Sequence, residues 1–460
     1  MKPTYYLLLG VAALGAASCT DSFFEQYPSN SVTENNYYIT DDDQGVAACY
    51  HKLKTQMGYH LNELAYRSDE CCKQAMTVSD ASTYYFDHFE ENSSNAIMSD
   101  IWNAWYNGIY RCNDVLDHLE GREELPNYDK YRGEVLFMRS WWYFNLYRAF
   151  GGVPIAHKVV SPADAKTIRR CTDDEMYALL TGDLAEAARL LPASKGAEKA
   201  RVTNIAAWTL LAKVYLTFGK PGEAKTALEE AMKNPNYGLV NTTADAFNVK
   251  NKFNKEIIFA LYYNKANDTG HGYWYSTTKP EEAQLTQPAP VFRALYDARD
   301  NRLPLISEYT EDKKGTYLLN KWFDNRNDAL KGNVVENDFP HLRYADVVLM
   351  YAEALAESGS SLGDALVWLN KTRTRAGLDA LKAEDIPSNG AFIEALADER
   401  GREFALEGHR WFDLVRLGLA LDRFHEMGYK LDAHNLLFPI PQNQIEIVND
   451  KTILWQNPGY

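Results

Sequence analysis

The sequence predicts a mainly α-helical protein. Tetratricopeptide-like helix pairs form its scaffold, around an irregular, loop-rich region suited to holding a ligand and a few short strands. Three observations carry this expectation. Small and aromatic residues recur in two places at the spacing of paired helices. Apolar stripes at helical spacing run through much of the chain. Between 251 and 322 that pattern gives way to a stretch rich in Tyr, Asn, Thr and Gly.

At the N-terminus, Lys2 precedes an apolar run, Tyr5 to Ala17, too short to span a bilayer as a helix. Ala16-Ala17-Ser18-Cys19 follows, and residues 1–18 read as a signal peptide. Small residues leading directly to a cysteine resemble the lipobox of bacterial lipoproteins, which makes Cys19 the expected lipidation site, although Ala16 stands where that pattern usually has Leu. The polar segment Asp21 to Asp43 then reads as a tether into a first helix, Asp43 to Met57, with Asp41-Asp42-Asp43 as capping residues. Gly58 to Ser99 reads as loop-rich. Helices are expected at 99–119, 129–150, 173–191, 203–218 and 221–233.

The last two form the sharpest pair. Trp208, Leu211, Ala212 and Tyr215, then Ala224, Leu228 and Ala231, fall at tetratricopeptide offsets, so small residues admit close helix approach while large ones fill the gap. Gly219-Lys220-Pro221-Gly222 is the turn, with Pro221 placed in a first helical turn. A second pair starts near Arg343, where Tyr344, Val347, Val348, Tyr351 and Leu355 make one stripe and Ala365 and Leu369 continue it. Arg139 to Phe150 opens a third, weaker match. Glu256 to Leu261 reads as a strand. Such pairs need neighbours to bury their faces. The expected organisation is therefore an N-terminal helical region, 19–250, and a C-terminal region, 251–460, packed as one body.

The formal charge is −15 with no basic block, which argues against a nucleic-acid partner. The cysteines after Cys19 (49, 71, 72, 112 and 171) are irregularly spaced and read as buried thiols with one or two disulfides. No HExxH, GxSxG or Walker loop is present, so neither a metal nor a cofactor is expected. Glu399, Glu403 and Glu407 share a helix face and could suggest a glycosidase, but Arg400, Arg402, Arg410 and Arg416 interleave with them. Glu399 with Arg402 and Asp413 with Arg416 have the spacing of ion pairs, and such pairing lowers a carboxylate pKa, the wrong direction for a general acid. The expectation is a binding protein rather than an enzyme.

The C-terminal third carries a family resemblance. His341 to Val347 with Tyr351-Ala352-Glu353-Ala354, then Asn370-x2-Arg373-x-Arg375-Ala376-Gly377-Leu378, are similar to signatures of the SusD/RagB family of outer-membrane lipoproteins. So are Glu399 to Arg416, Phe438-Pro439-Ile440-Pro441 and Gln456 to Tyr460, with Gly151-Gly152-Val153-Pro154 upstream. The resemblance covers the chain from Cys19 onward. It implies a surface-exposed lipoprotein of a Gram-negative outer membrane that binds glycans and delivers them to a SusC-like TonB-dependent transporter. A peptide-binding RagB-like role is the alternative, and a surface glycoside hydrolase or a protein–protein scaffold lies further off.

Sugars are held by aromatic rings under their C–H faces and by charged groups on their hydroxyls. Two regions offer that mixture: Arg67 and Asp69, within Tyr66 to Glu70, with Tyr84-Tyr85-Phe86; and Tyr273-Trp274-Tyr275. The resemblance matches these by region rather than by an exact contact motif. Trp102, Trp105, Trp141, Trp142 and Trp208 lie in helical stripes and read as core.

Overall fold

The computed structural model describes residues 42–73, 76, 81–196, 198–263, 286–306, 308–309, 317–318, 321 and 337–460. Cys19, most of the tether, and Tyr273, Trp274 and Tyr275 lie outside them. The chain divides into a unit Met1–Gly45 and a body Val46–Tyr460, and the contacts below belong to the body.

Helix α1, Asp42–Tyr66, runs past its expected end at Met57 and through Gly58. A helical Gly costs only about 1 kcal/mol relative to Ala, and burial of Leu64, Ala65 and Tyr66 anchors the last turn. The strand β1, Cys71–Lys73, and the helix α2, Ala81–Asp87, also fall where loops were expected.

Helix α3, Ala96–Leu119, starts at Asn95, whose side chain accepts from the Ile97 amide at 3.0 Å. It buries Ile97, Ile101, Trp105, Cys112 and Leu116 as one stripe. Helix α4, Tyr128–Phe150, is buried nearly all round, as befits the central helix of a bundle. It packs on α5, Asp173–Leu190, which opens with a capping box between Thr172 and Glu175. Arg139 clamps the two through both oxygens of Asp183 at 2.8 and 2.9 Å. This is the third helix pair. Its sequence match is weak because a long connection, 151–172, replaces the short turn of the others.

The two sharper pairs are α6, Asn204–Thr217, with α7, Pro221–Met232, and α8, Tyr344–Glu357, with α9, Leu362–Arg375. At the first turn Gly219 takes φ +67° and Lys220 donates back to the Tyr215 carbonyl at 2.8 Å, so a residue free of a Cβ is needed there. Helix α7 packs on α8, where the Tyr351 hydroxyl donates to Glu229 at 3.0 Å. Leu349, Leu355, Leu366, Leu369, Phe392 and Leu396 form the core beneath.

The expected strand is present as β2, Ile257–Leu261, fully buried. It pairs antiparallel with Phe339–Arg343 and so ties the middle of the chain to the start of α8. The other strands are β3, Thr286–Pro288, paired with β1, and β4, Glu308–Tyr309, paired with β5, Tyr317–Leu318; Phe339–Arg343 is β6. Helices α10, Asn389–Glu403, α11, Arg410–Arg416, α12, Ala420–Glu426, and α13, Gln442–Val448, follow.

Trp102, Trp105, Trp141 and Trp142 are core as expected, whereas Trp208 is half-buried. The five described cysteines form no disulfide with one another, so the expected disulfides are absent among them.

Candidate functional site

The end of α1, the short helix α2 and the segment after α12 meet at one surface. Arg67 and Asp69 were expected to reach a ligand there, but both point inward. Arg67 is fully buried and pairs with Glu91 at 2.8 Å. It also donates to the carbonyls of Phe86 and Asn435, both at 3.0 Å. The rings of Phe89, Phe86 and Trp411 enclose its guanidinium at 4.1, 5.0 and 5.2 Å. Asp69 forms a two-pronged pair with Arg410, both contacts at 2.7 Å. Phe86 is buried against Phe438, ring centroids 5.2 Å apart. These three expected ligand contacts are therefore internal: Asp69 and Phe86 find partners in the C-terminal part of the chain, and Arg67 is held by Glu91 and Phe86 nearby as well as by Asn435.

Glu70 beside them is also buried. It accepts from the Leu406 amide at 2.8 Å and so supports Leu406 in its left-handed conformation, φ +64°. Burial pushes its carboxyl up to about 8, reinforced by Asp69 and opposed by the Leu406 amide and Arg410.

Tyr84 and Tyr85 behave differently. Tyr85 is 40% exposed, and its ring meets Tyr84 edge-on at 6.1 Å. Tyr84 is stacked on His88 at 4.0 Å, and His88 leads on to Tyr429 at 6.4 Å. The result is a ledge of four rings on a rigid base. The sequence reading missed His88 and Tyr429. His88 lies one helical turn after Tyr84 and its spacing could have suggested it; nothing local marks Tyr429. Tyr273, Trp274 and Tyr275, the other expected ring cluster, lie outside the described residues.

The acidic stretch is a pair of buried ion networks. In one, Glu403 meets Arg343, Arg375 and Arg302, while Glu399 meets Arg302 and Arg402. In the other, Arg400 joins Asp413 to Asp346, and Arg416 joins Asp413 to Glu353. Burial alone would raise these carboxyls, but the guanidinium groups, and for Asp346 the Lys213 ammonium before Arg400, outweigh it. Glu403 and Asp413 lie far below the carboxylate range, and Asp346 is held at about 2. None is poised to donate a proton near neutral pH. Among the described residues no cluster of His, Cys, Asp and Glu could hold a metal ion.

Residues 301–460 match the SusD family, and residues 22–216 match a family described as starch-binding associating with outer membrane. The chain belongs to the SusD family. A SusD-like protein of Formosa agariphila is 23% identical to it, over 94% of each chain. Among solved structures, a SusD superfamily protein of Parabacteroides distasonis superposes with a TM-score of 0.77 at 23% identity, covering 94% of this chain and all of its own. A laminarin-binding SusD-like protein reaches a TM-score of 0.76 at 26% identity, covering 92% of this chain and 99% of its own. The mainly helical architecture of this SusD-family chain is thus that of its relatives. Its two matched segments meet in buried contacts: Asp69 of the first pairs with Arg410 of the second, and Arg67 of the first donates to the Asn435 carbonyl of the second.

Proposed function

We propose that this chain is a surface-exposed outer-membrane lipoprotein, anchored through Cys19, that binds glycans and passes them to a SusC-like TonB-dependent transporter. The observation that carries the binding role is the ring ledge of Tyr84, Tyr85, His88 and Tyr429. It offers flat apolar faces to a sugar while its polar edges reach hydroxyls. Membership of the SusD family and the laminarin-binding relative support a glycan as ligand. The small-residue approach to Cys19 supports the anchor. Tyr273, Trp274 and Tyr275 are proposed as further ligand contacts.

The test is a glycan array with the purified protein, followed by product analysis. Binding without turnover is expected. Tyr85→Ala, which removes an exposed ring, should weaken it on the order of tenfold, about 1.4 kcal/mol. Hydrolysis of a bound glycan, or unchanged affinity in Tyr85→Ala, would count against the function or the site respectively. In cells, Cys19→Ala should leave the membrane fraction, and the native protein should co-purify with a large β-barrel.

A further inference from the structure

A second cleft lies well away from the ring ledge. It is a depression of about 480 Å³ between the first half of α1, the loop before α6 and the end of β2. Tyr50 lines it, and Tyr66 begins the ledge region. At ~1.5 Å per residue, these positions stand roughly 24 Å apart along α1. A neighbouring depression of about 260 Å³ shares Phe253 and Lys199 with it, so the two form one groove. That is room for several sugar units, and within the ~300–1,000 Å³ common for small-ligand sites.

The groove wall is aromatic. Tyr262 is 42% exposed, and its ring lies 5.9 Å from Phe253 with a tilt of 32°. Phe253 adopts φ +52°, a conformation that is costly for an aromatic residue and therefore informative where it occurs in a pocket. The next residue holds it there. The buried Asn254 donates to the carbonyls of Ala246 and Asn251, both at 3.2 Å, and its own carbonyl accepts from Ile257 at 3.0 Å.

The charge around these rings is positive in a chain of net charge −15. Lys54 and Lys199 line the groove, and Lys195 lines its extension with its ammonium 5.3 Å from the Phe253 ring. Each acid nearby has a cationic partner, and the charge of Asp338 also reaches Lys54 and Lys195. Glu198 pairs with Lys130, Glu134 takes Arg201 at 2.8 Å, and Asp338 takes Lys252 at 2.9 Å. Lys195 donates to the Ile257 carbonyl at 2.8 Å, and burial pushes its ammonium down to about 7. An anion beside it would be met by a proton.

We propose that this groove is a second carbohydrate site that takes an acidic oligosaccharide, with a sugar ring on Tyr262 and Phe253 and uronate carboxylates directed to Lys199, Lys54 and Lys195. It goes beyond the glycan reading of the ledge and does not depend on it.

Calorimetric titration of the full chain tests the proposal, using trigalacturonate, an alginate oligomer and a chondroitin disaccharide, with maltohexaose as the neutral comparison and oligoglutamate as the acidic peptide. At least one acidic sugar is expected to bind, more weakly as salt rises, and maltohexaose not to share that salt dependence. Tyr262→Ala and Lys199→Ala alter exposed side chains and should each weaken the acidic sugar at least tenfold, while Tyr262→Phe, which keeps the ring, restores binding. The proposal is overturned if no acidic sugar binds at millimolar concentration, or if affinity survives both Tyr262→Ala and Lys199→Ala. Oligoglutamate binding with the same dependence on Tyr262 and Lys199 would equally overturn it, since the groove would then recognise acidity without a sugar.

Discussion

At the scale of single residues, the segment Tyr66 to Glu70 shows how burial reverses the meaning of a polar residue. On a surface, Arg67 and Asp69 would be sugar contacts. Inside, each is half of an ion pair, and the pair's value lies mostly in what happens when it is broken. Asp69→Ala leaves Arg410 buried without its carboxylate and should destabilise the protein by about 3–5 kcal/mol. Urea unfolding followed by circular dichroism measures this; a change under 1 kcal/mol would mean that Arg410 finds another acceptor. The neighbouring aromatic pair divides the same way. Tyr85 stays exposed and Phe86 is buried, because adjacent positions on a helix face different directions.

At the scale of elements, the helices were legible wherever one face is apolar and the other polar. The pair α6–α7 falls within a residue of its expected bounds and α8 starts where the second pair was expected, since Ala212, Ala224, Ala352 and Ala365 are all buried at close helix approaches. What the pattern does not disclose is which helices meet when no short turn joins them. The crossing of α3 and α4 depends on Gly108, where a Cβ would sit 2.2 Å from the Trp142 ring. Trp142 is itself fully buried and has no room to retreat. Gly108→Ala should therefore cost about 1–3 kcal/mol or more, despite Ala's better helix propensity. Thermal unfolding decides between the two effects: a higher Tm would show that the helices can part at no cost, contrary to the packing described.

At the scale of the whole molecule, the buried charges set the response to pH. Glu403, Glu399, Asp413 and Asp346 have carboxyls depressed in the folded state, so their stabilisation is complete above their unfolded values, near 4, and is lost as pH falls through the folded ones. Glu70 acts in the opposite sense. Its folded value of about 8 means that the native state holds an extra proton, so its contribution is full below 4.5 and is lost as pH rises toward 8. Tm measured across pH should fall steeply below about pH 4.5. Glu70→Gln, which keeps an acceptor for the Leu406 amide, should gain in Tm relative to the native chain as pH rises from about 4.5 to about 8, and should spare the acid transition. A Tm difference between the two chains that does not change over this range would show that Glu70 holds no extra proton in the native state.

The helical class, the two sharp helix pairs, the β2 strand and the family signatures are legible in the amino-acid order alone, because these rest on spacing within short windows. It also marked Glu399 with Arg402 and Asp413 with Arg416 as ion pairs, since three residues on a helix are neighbours whatever else the chain does. The rest depends on contacts between distant parts of the chain. Arg67 turned inward because Glu91 and Asn435 converge on it, and Tyr429 joined the ledge because the fold carries it to His88. The groove at Phe253 and Tyr262 arises where the first half of α1 passes the end of β2. The physical reason is the same in each case. Periodicity tells a side chain which face of its own element it occupies, while burial and charge pairing depend on what another part of the chain brings to that face.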